Sequence, residues 1–257
     1  MAHTIEKGSD IAKKGFMAER WVAETFCNWE KEEIARRWLV AMDYDIDEIE
    51  EVKAEALKVK DCKSDVVVEV RVKMKQCSDV QNIQVKLVSN KRGFNQIDKR
   101  FLRNYKERLW NDMPDDVYLL LQYFCGEKAP YKETVRDNRR MFIDEFTTEE
   151  QNRLLSWFTE KKHLIISDII RGRGQLAAEW IMVLQVIDGR LENWCIANVN
   201  PVVDYMSEGD VHISPRGSLC IGRVTMQRKG GDGGRISATC LQFKEDPMDI
   251  FDKFKNI

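Results

Sequence analysis

The sequence is poor in the residues that build metal and redox centres. It has only three histidines, His3, His163 and His212, far apart along the chain, which argues against a histidine-based metal site. Its seven cysteines, an odd number, fall at 27, 62, 77, 125, 195, 220 and 240, and no two form a CxxC pair. That pattern suits neither a disulfide frame nor a zinc site, so reduced, mostly buried thiols of a cytoplasmic protein are expected. No apolar run approaches the roughly 18 residues of a membrane span, so no membrane partner is expected. The opening MAHTIEKGSD lacks the apolar stretch of a secretory signal. Internal repeats, low-complexity tracts and evident linkers are missing as well.

What is present is charge. Charged residues make up 33 % and hydrophobic residues 43 % of the 257, the balance of a charge-rich globular protein with enough apolar material for a core. The net charge of −2 conceals a strong unevenness. Residues 86–108 carry eight Lys/Arg against Asp98 and Glu107, and residues 213–235 carry five against Asp232. The acidic runs DYDIDEIEE (43–51) and DEFTTEE (144–150) restore neutrality. Two basic segments far apart in sequence can present one basic face or two surfaces that never meet, and charge alone leaves both open.

Periodicity gives the organisation. Apolar residues at Ile11, Ala18, Trp21, Val22, Phe26 and Trp29 predict a helix over 9–29 with Glu19 among them, and a second helix carries Ile34, Ala35, Trp38, Leu39 and Met42. A weaker, charged helical pattern runs to about Leu57. The period changes to two in DVVVEVRV (65–72) and again in NIQVKLVS (82–89), predicting strands that pair through a turn near Lys75–Ser78. A loop, NKRGFNQ, precedes a helix bearing Ile97, Phe101, Leu102 and Tyr105. TTEE at 147–150 fits a capping box ahead of LLSWF. Five further segments read as strands: HLIISDII, LAAEWIMVLQVI, NWCIANV, SLCIGRVTMQ and ISATCLQFK. The expected fold is a single α/β domain over 1–257, a mixed β-sheet flanked by helices. Its catalytic core would cover roughly 9–110 and a strand-rich part roughly 160–257.

The second of the alternating strands carries chemistry. Gln84 and Lys86, two apart, project to one face with Cα atoms roughly 6.5 Å apart, so an amide oxygen and an ammonium can engage the same phosphate. If the two strands pair antiparallel, Asp65 joins them on the polar face. One carboxylate and one amide oxygen are hard ligands that suit Mg²⁺, which keeps water and substrate phosphate for its remaining positions. Glu19 could complete the outer shell, and Asp61 is a weaker candidate. Taken singly, each residue has an ordinary alternative: a solvated strand lysine, a cross-strand amide, a surface helix glutamate.

The run S64-D65, then Q84-V85-K86 and SNKRGFNQIDK, resembles the type II restriction endonucleases of the PD-(D/E)XK superfamily, in particular the HinP-type enzymes that cut GCGC. The resemblance extends through GF at 15–16, DEIEEVKA at 47–54, DIIRGRG at 168–174, AAEW at 177–180, SPRGS at 214–218 and GRVTMQRKGGDGGR at 222–235. It implies a PD-(D/E)XK fold and Mg²⁺-dependent hydrolysis of double-stranded DNA. The catalytic set would be Asp65, Gln84 and Lys86, with Asp65, Gln84, the Val85 carbonyl and Glu19 around the metal. The superfamily usually has an acid where Gln84 stands, which implies weaker metal binding without DNA. By the same resemblance the loop reads DNA: Phe94 as a wedge between bases, Gln96 at base edges, Lys91 and Arg92 on phosphates, with Asn95 and Lys99 among the DNA-binding residues. Gln227, Arg228 and Lys229 beside a glycine-rich turn would also bind DNA, the Arg and Lys matching guanine N7 and O6 in the major groove. A host carrying such an enzyme would also carry a cognate DNA methyltransferase, without a stable complex. A palindromic target is compatible with a homodimer or with a monomer that nicks each strand in turn. Two other readings stay open on the residues alone: a DNA-binding protein that does not cleave, and a structure-specific repair nuclease.

Overall fold

The computed structural model describes residues 2–57, 67–90, 92–231 and 235–255, with the backbone alone for 2–13. Where the sequence suggests one domain, the backbone groups into two compact units with interleaved segments. One comprises Met1–Phe94, Arg171–Val202 and Asp246–Ile257; the other comprises Asn95–Ile170 and Val203–Glu245.

The first unit is built on a mixed five-stranded sheet. Its strands are β1 (Ile49–Leu57), β2 (Val67–Met74), β3 (Ser78–Val88), β5 (Trp180–Ile187) and β6 (Arg190–Asn198), in that spatial order. Only β3 and β5 run parallel; the other neighbours are antiparallel. α1 (Ala2–Cys27) buries Ala18, Val22, Ala23 and Phe26, three to four residues apart, and α2 (Glu33–Ala41) buries Ala35, Trp38 and Leu39. All of these but Ala18 meet Val68, Val70 and Val72 of β2, Ile83 of β3, and Met182 and Leu184 of β5 in one apolar core.

The first misreading lies at β1, where the sequence suggests a weak helix to Leu57 and the chain forms a strand. A bulge between Ile49 and Glu51 slips the register, so the buried residues Ile49 and Val52 stand three apart. That spacing imitates one turn of helix although the backbone is extended.

The second unit holds an antiparallel sheet in the order β4 (Asn95–Arg100), β10 (Leu241–Glu245), β9 (Val224–Arg228), β8 (Leu219–Ile221) and β7 (Val211–Ile213). Around it lie α3 (Leu102–Arg108), α4 (Asp115–Cys125), α5 (Thr148–Glu160) and α6 (Lys162–Ile170). Tyr105 stacks on Trp110 with centroids 4.5 Å apart, and Phe243 meets both edge-on. Thr147 and Glu150 form the expected capping box.

Two expectations fail here. Residues 95–97, assigned to a loop running into a helix, begin strand β4; the helix starts only at Leu102. HLIISDII, expected as a strand, lies in helix α6, which buries Ile165, Ile166, Ile169 and Ile170. The β-branched content suggests a strand, but Ile165, Ile166, Ile169 and Ile170 recur at helical spacing, and that face is the one buried. Two short helices complete the chain, α7 (Val199–Met206) and α8 (Pro247–Phe254). Among the described residues no helix is long and apolar enough to cross a membrane. Cys125, Cys195 and Cys240 are buried thiols, whereas Cys27 and Cys77 are exposed.

Candidate active site and nucleic-acid interface

β3 is the central strand of its sheet, and its placement is heavily constrained. On one side the turn after Met74 sets an antiparallel hairpin with β2, in which Val68 faces Ile83 and Val72 faces Asp79. On the other side β3 lies parallel to β5, a pairing that no tight turn can enforce. Side chains set that register instead. The Asn82 N–H donates to the Glu179 carboxylate at 2.7 Å, the Glu179 N–H returns to the Asn82 carbonyl at 2.9 Å, and the Trp180 indole donates to Gln81 at 2.8 Å.

With β3 so fixed, Gln84 and Lys86 share a face, and their partners across β5 are Ile181 and Val183. Gln84 is buried and Lys86 half-buried. An amide and an amine thus sit beside apolar strand neighbours in the middle of a sheet, where a charge interacts more strongly than at an open surface. Val85 projects the other way and packs against the core, which leaves only its carbonyl as a donor toward a metal. Glu19 is half-buried on α1, which packs on β1, β2 and β3, one turn before Val22 and Ala23 of the buried stripe. Asp61 and Asp65 lie outside the described residues. Among the described residues no cluster of three His, Cys, Asp or Glu could hold a metal ion.

Six residues, 89–94, lead from β3 to β4. Lys91 lies outside the described residues. Phe94 is 64 % exposed, so it does not anchor the loop in a core. Arg92 is engaged by Asp246, Asp249 and Asp252, and the hydrogen bond it donates to Asp246 is the main reason its guanidinium is held above its ordinary pKa.

In the second unit the sheet joins the two basic segments. Gln242 of β10 faces Lys99 of β4 on one side and Gln227 of β9 on the other, so the three form one row across the strands. The Gln242 side chain, itself buried, donates from Nε2 to Oε1 of the exposed Gln96 at 2.8 Å. Asn95 opens β4 opposite Glu245. Because neighbouring strand residues alternate, Arg228 projects from the face opposite Gln227. Its side chain is only 9 % exposed, with Nη1 3.9 Å from Asp137, and its Nε–H is buried without a partner among the described residues. Hydrogen bonds from Arg139 hold the Asp137 carboxyl down at about 2, so it is charged beside Arg228. Lys229, just past the strand, donates its backbone N–H to the Cys240 carbonyl at 2.8 Å.

Under this face, Asp98 accepts from the Tyr105 hydroxyl at 3.0 Å and from Arg100. Burial first, and then the Asp98 carboxylate, push the Tyr105 hydroxyl far above its ordinary pKa, so it acts as a fixed donor. Gln242 is the residue that sequence reasoning missed. Its only signal is a glutamine between Leu241 and Phe243 in an alternating strand, and alternation does not say which strands lie beside it.

A model of the R.HinP1I restriction endonuclease family matches residues 42–251. Among solved structures the fold is similar to that of the restriction endonuclease MspI in complex with its cognate DNA. The TM-score is 0.57 at 18 % identity, over 82 % of this chain and 77 % of that one. Such a likeness speaks for the fold alone. No curated protein sequence matches.

Proposed function

The chain belongs to the R.HinP1I restriction endonuclease family, the type II site-specific deoxyribonucleases of this fold, and from that premise we propose how its residues divide the work of cutting and reading DNA. The cutting residues are Asp65, Gln84 and Lys86. The observation that carries this is the pairing of Gln84 and Lys86 on one face of the central strand, which ends six residues before the exposed Phe94. Asp65 precedes the first described residue of β2 by two positions.

This donor set fits a divalent cation, and Mg²⁺ best. Asp65, the Gln84 amide oxygen and the Val85 carbonyl are hard oxygens, too few to enclose an ion without help from water and phosphate. When bound, the metal polarises the scissile phosphate and lowers the pKa of a ligating water. Lys86 supplies an ammonium that orients the attacking water and offsets the charge developing on phosphate. The apolar partners Ile181 and Val183 keep that ammonium from being neutralised from the β5 side. Glu19, half-buried on α1, stands by as an outer-shell acceptor. Gln84 leaves the site one negative charge short of the usual superfamily set. Gln84→Glu is therefore expected to tighten Mg²⁺ binding without DNA by about tenfold, read by calorimetric titration. Equal affinities would remove Gln84 from the metal's ligands.

Reading falls to Phe94 and to the row on the second unit's sheet. Phe94 acts as an intercalating wedge. Asn95, Gln96 and Gln227 address base edges, while Lys91, Lys99 and Lys229 hold phosphate or guanine. The target is a short G/C palindrome, GCGC, and the enzyme acts in the cytoplasm of a cell whose own sites are methylated. Incubation with plasmid and Mg²⁺ tests this. Discrete fragments whose sequenced ends share one G/C palindrome are expected; binding without cutting, or cutting only of distorted DNA, would refute it. Phe94→Ala should reduce the ratio of specific to random-DNA affinity by about 10- to 100-fold. In filter-binding titrations, equal losses on both DNAs would reject the wedge.

A further inference from the structure

The segment DPMDIFD (246–252) carries three aspartates at intervals of three, a spacing that sets them along one side of α8. Met248, Ile250, Phe251 and Phe254 bury the other side, and α8 packs against β3, β5 and β6 of its own unit. Asp246 is the N-cap, accepting from the Met248 N–H at 3.1 Å. All three acids turn to one guanidinium. Arg92 Nε lies 3.1 Å from Asp246, one terminal nitrogen bonds Asp249, and the other lies 3.6 Å from Asp252. The next residue joins them, with the Gly93 N–H donating to Asp246 at 3.4 Å.

This is poor company for a phosphate. Three carboxylates more than cancel one guanidinium, so the field around Arg92 repels a DNA backbone. It is good company for a loop. Phe94 stands 64 % exposed, where an unrestrained aromatic would fold back onto apolar surface. We propose that Arg92 is a positioning residue, a latch that fastens Gly93 and Phe94 to α8 so that the wedge is held extended before DNA arrives. The proposal rests on the reading of Phe94 as the wedge. It assigns the gain to preorganisation, the ordering of the loop being completed during folding rather than during binding.

The two roles predict opposite results for the acids. Binding of a duplex containing the cleavage site, and of a random duplex, is compared for Arg92→Ala and for Asp249→Asn/Asp252→Asn; Asp246 is left intact because it caps α8. For a latch, both variants lower the specific-to-random ratio by about tenfold, while random-DNA affinity and its salt slope stay unchanged. The combined triple variant is then no worse than either alone. Amide exchange in residues 89–95 quickens in both, and the swap Arg92→Asp/Asp249→Arg recovers part of the ratio. For a phosphate contact, Arg92→Ala weakens binding to both duplexes and lowers the salt slope by about one, while the acid variant binds both more tightly. That result, or variants indistinguishable from wild type, overturns the latch. Wild-type protein is assayed alongside for cleavage. A wild type that cuts and discriminates while the variants discriminate equally well sinks the latch alone; a wild type that yields no discrete fragments sinks the functional reading and the latch with it.

Discussion

Lys86→Ala is expected to slow plasmid cleavage by about 10³-fold while leaving specific DNA binding nearly intact. The size follows from where the lysine sits. β3 is held in register by β2 up to Ile83 and by β5 from Ile83 to Val88, so the backbone at Lys86 is fixed by its pairing with Val183, which is not another base. Removing the ammonium takes away the protein cation nearest the proposed scissile phosphate, in a setting where water screens it poorly. Binding survives because it depends on many phosphate and base contacts, of which Lys86 supplies one at most. Lys86→Met, which keeps the stem and loses the charge, should match the alanine variant. Single-turnover cleavage and equilibrium binding, measured on one preparation, check this. Cleavage by Lys86→Ala within a few-fold of wild type would strip Lys86 of its role.

The second large effect is expected at Gln242, a residue that we place beside the DNA-reading side chains. Its Nε2 donates to Gln96 Oε1, which leaves the Gln96 amine facing outward as a donor, suited to an acceptor such as guanine N7 or O6. Gln242→Leu frees the Gln96 amide to rotate, and discrimination against single-base variants of the site should fall by about 1–2 kcal/mol, roughly tenfold. Gln242→Glu is the sharper probe. A carboxylate only accepts, so Gln96 must turn its own amine inward and present oxygen to the base. Preference should then move toward bases that offer an amine, cytosine or adenine. Relative kcat/KM over a panel of singly substituted sites measures both changes, with the thermal midpoint as a control for folding. An unaltered ranking in Gln242→Glu would show that the Gln96–Gln242 pair plays no part in reading.

The two proposed reading determinants differ in how visible they were. Phe94 stands out in the sequence as one aromatic among bases and amides, and its exposure agrees with that prominence. Arg92 looked the same, a base in a polar loop, yet its partners lie 154 and 157 residues further along the chain. Arg228 also looked like a base-reading arginine, but strand alternation turns it to the face opposite Gln227, beside Asp137.

The sequence by itself determined what depends on neighbours a few positions away. The alternation of β2 and β3, the common face of Gln84 and Lys86, and the Thr147–Glu150 cap all follow from a local period or a local hydrogen bond. Only the tertiary structure decided the rest. It made β1 a strand despite helix-like spacing, because a bulge shifts its register against β2. It made Lys162–Ile170 a helix, because burying Ile165, Ile166, Ile169 and Ile170 on one face outweighs the strand propensity of its isoleucines. It also set Lys99, Gln242 and Gln227 in one row and closed three aspartates on Arg92. Those contacts are fixed by which elements lie side by side, and that ordering belongs to the packing of the whole chain, with no trace in any short stretch of it.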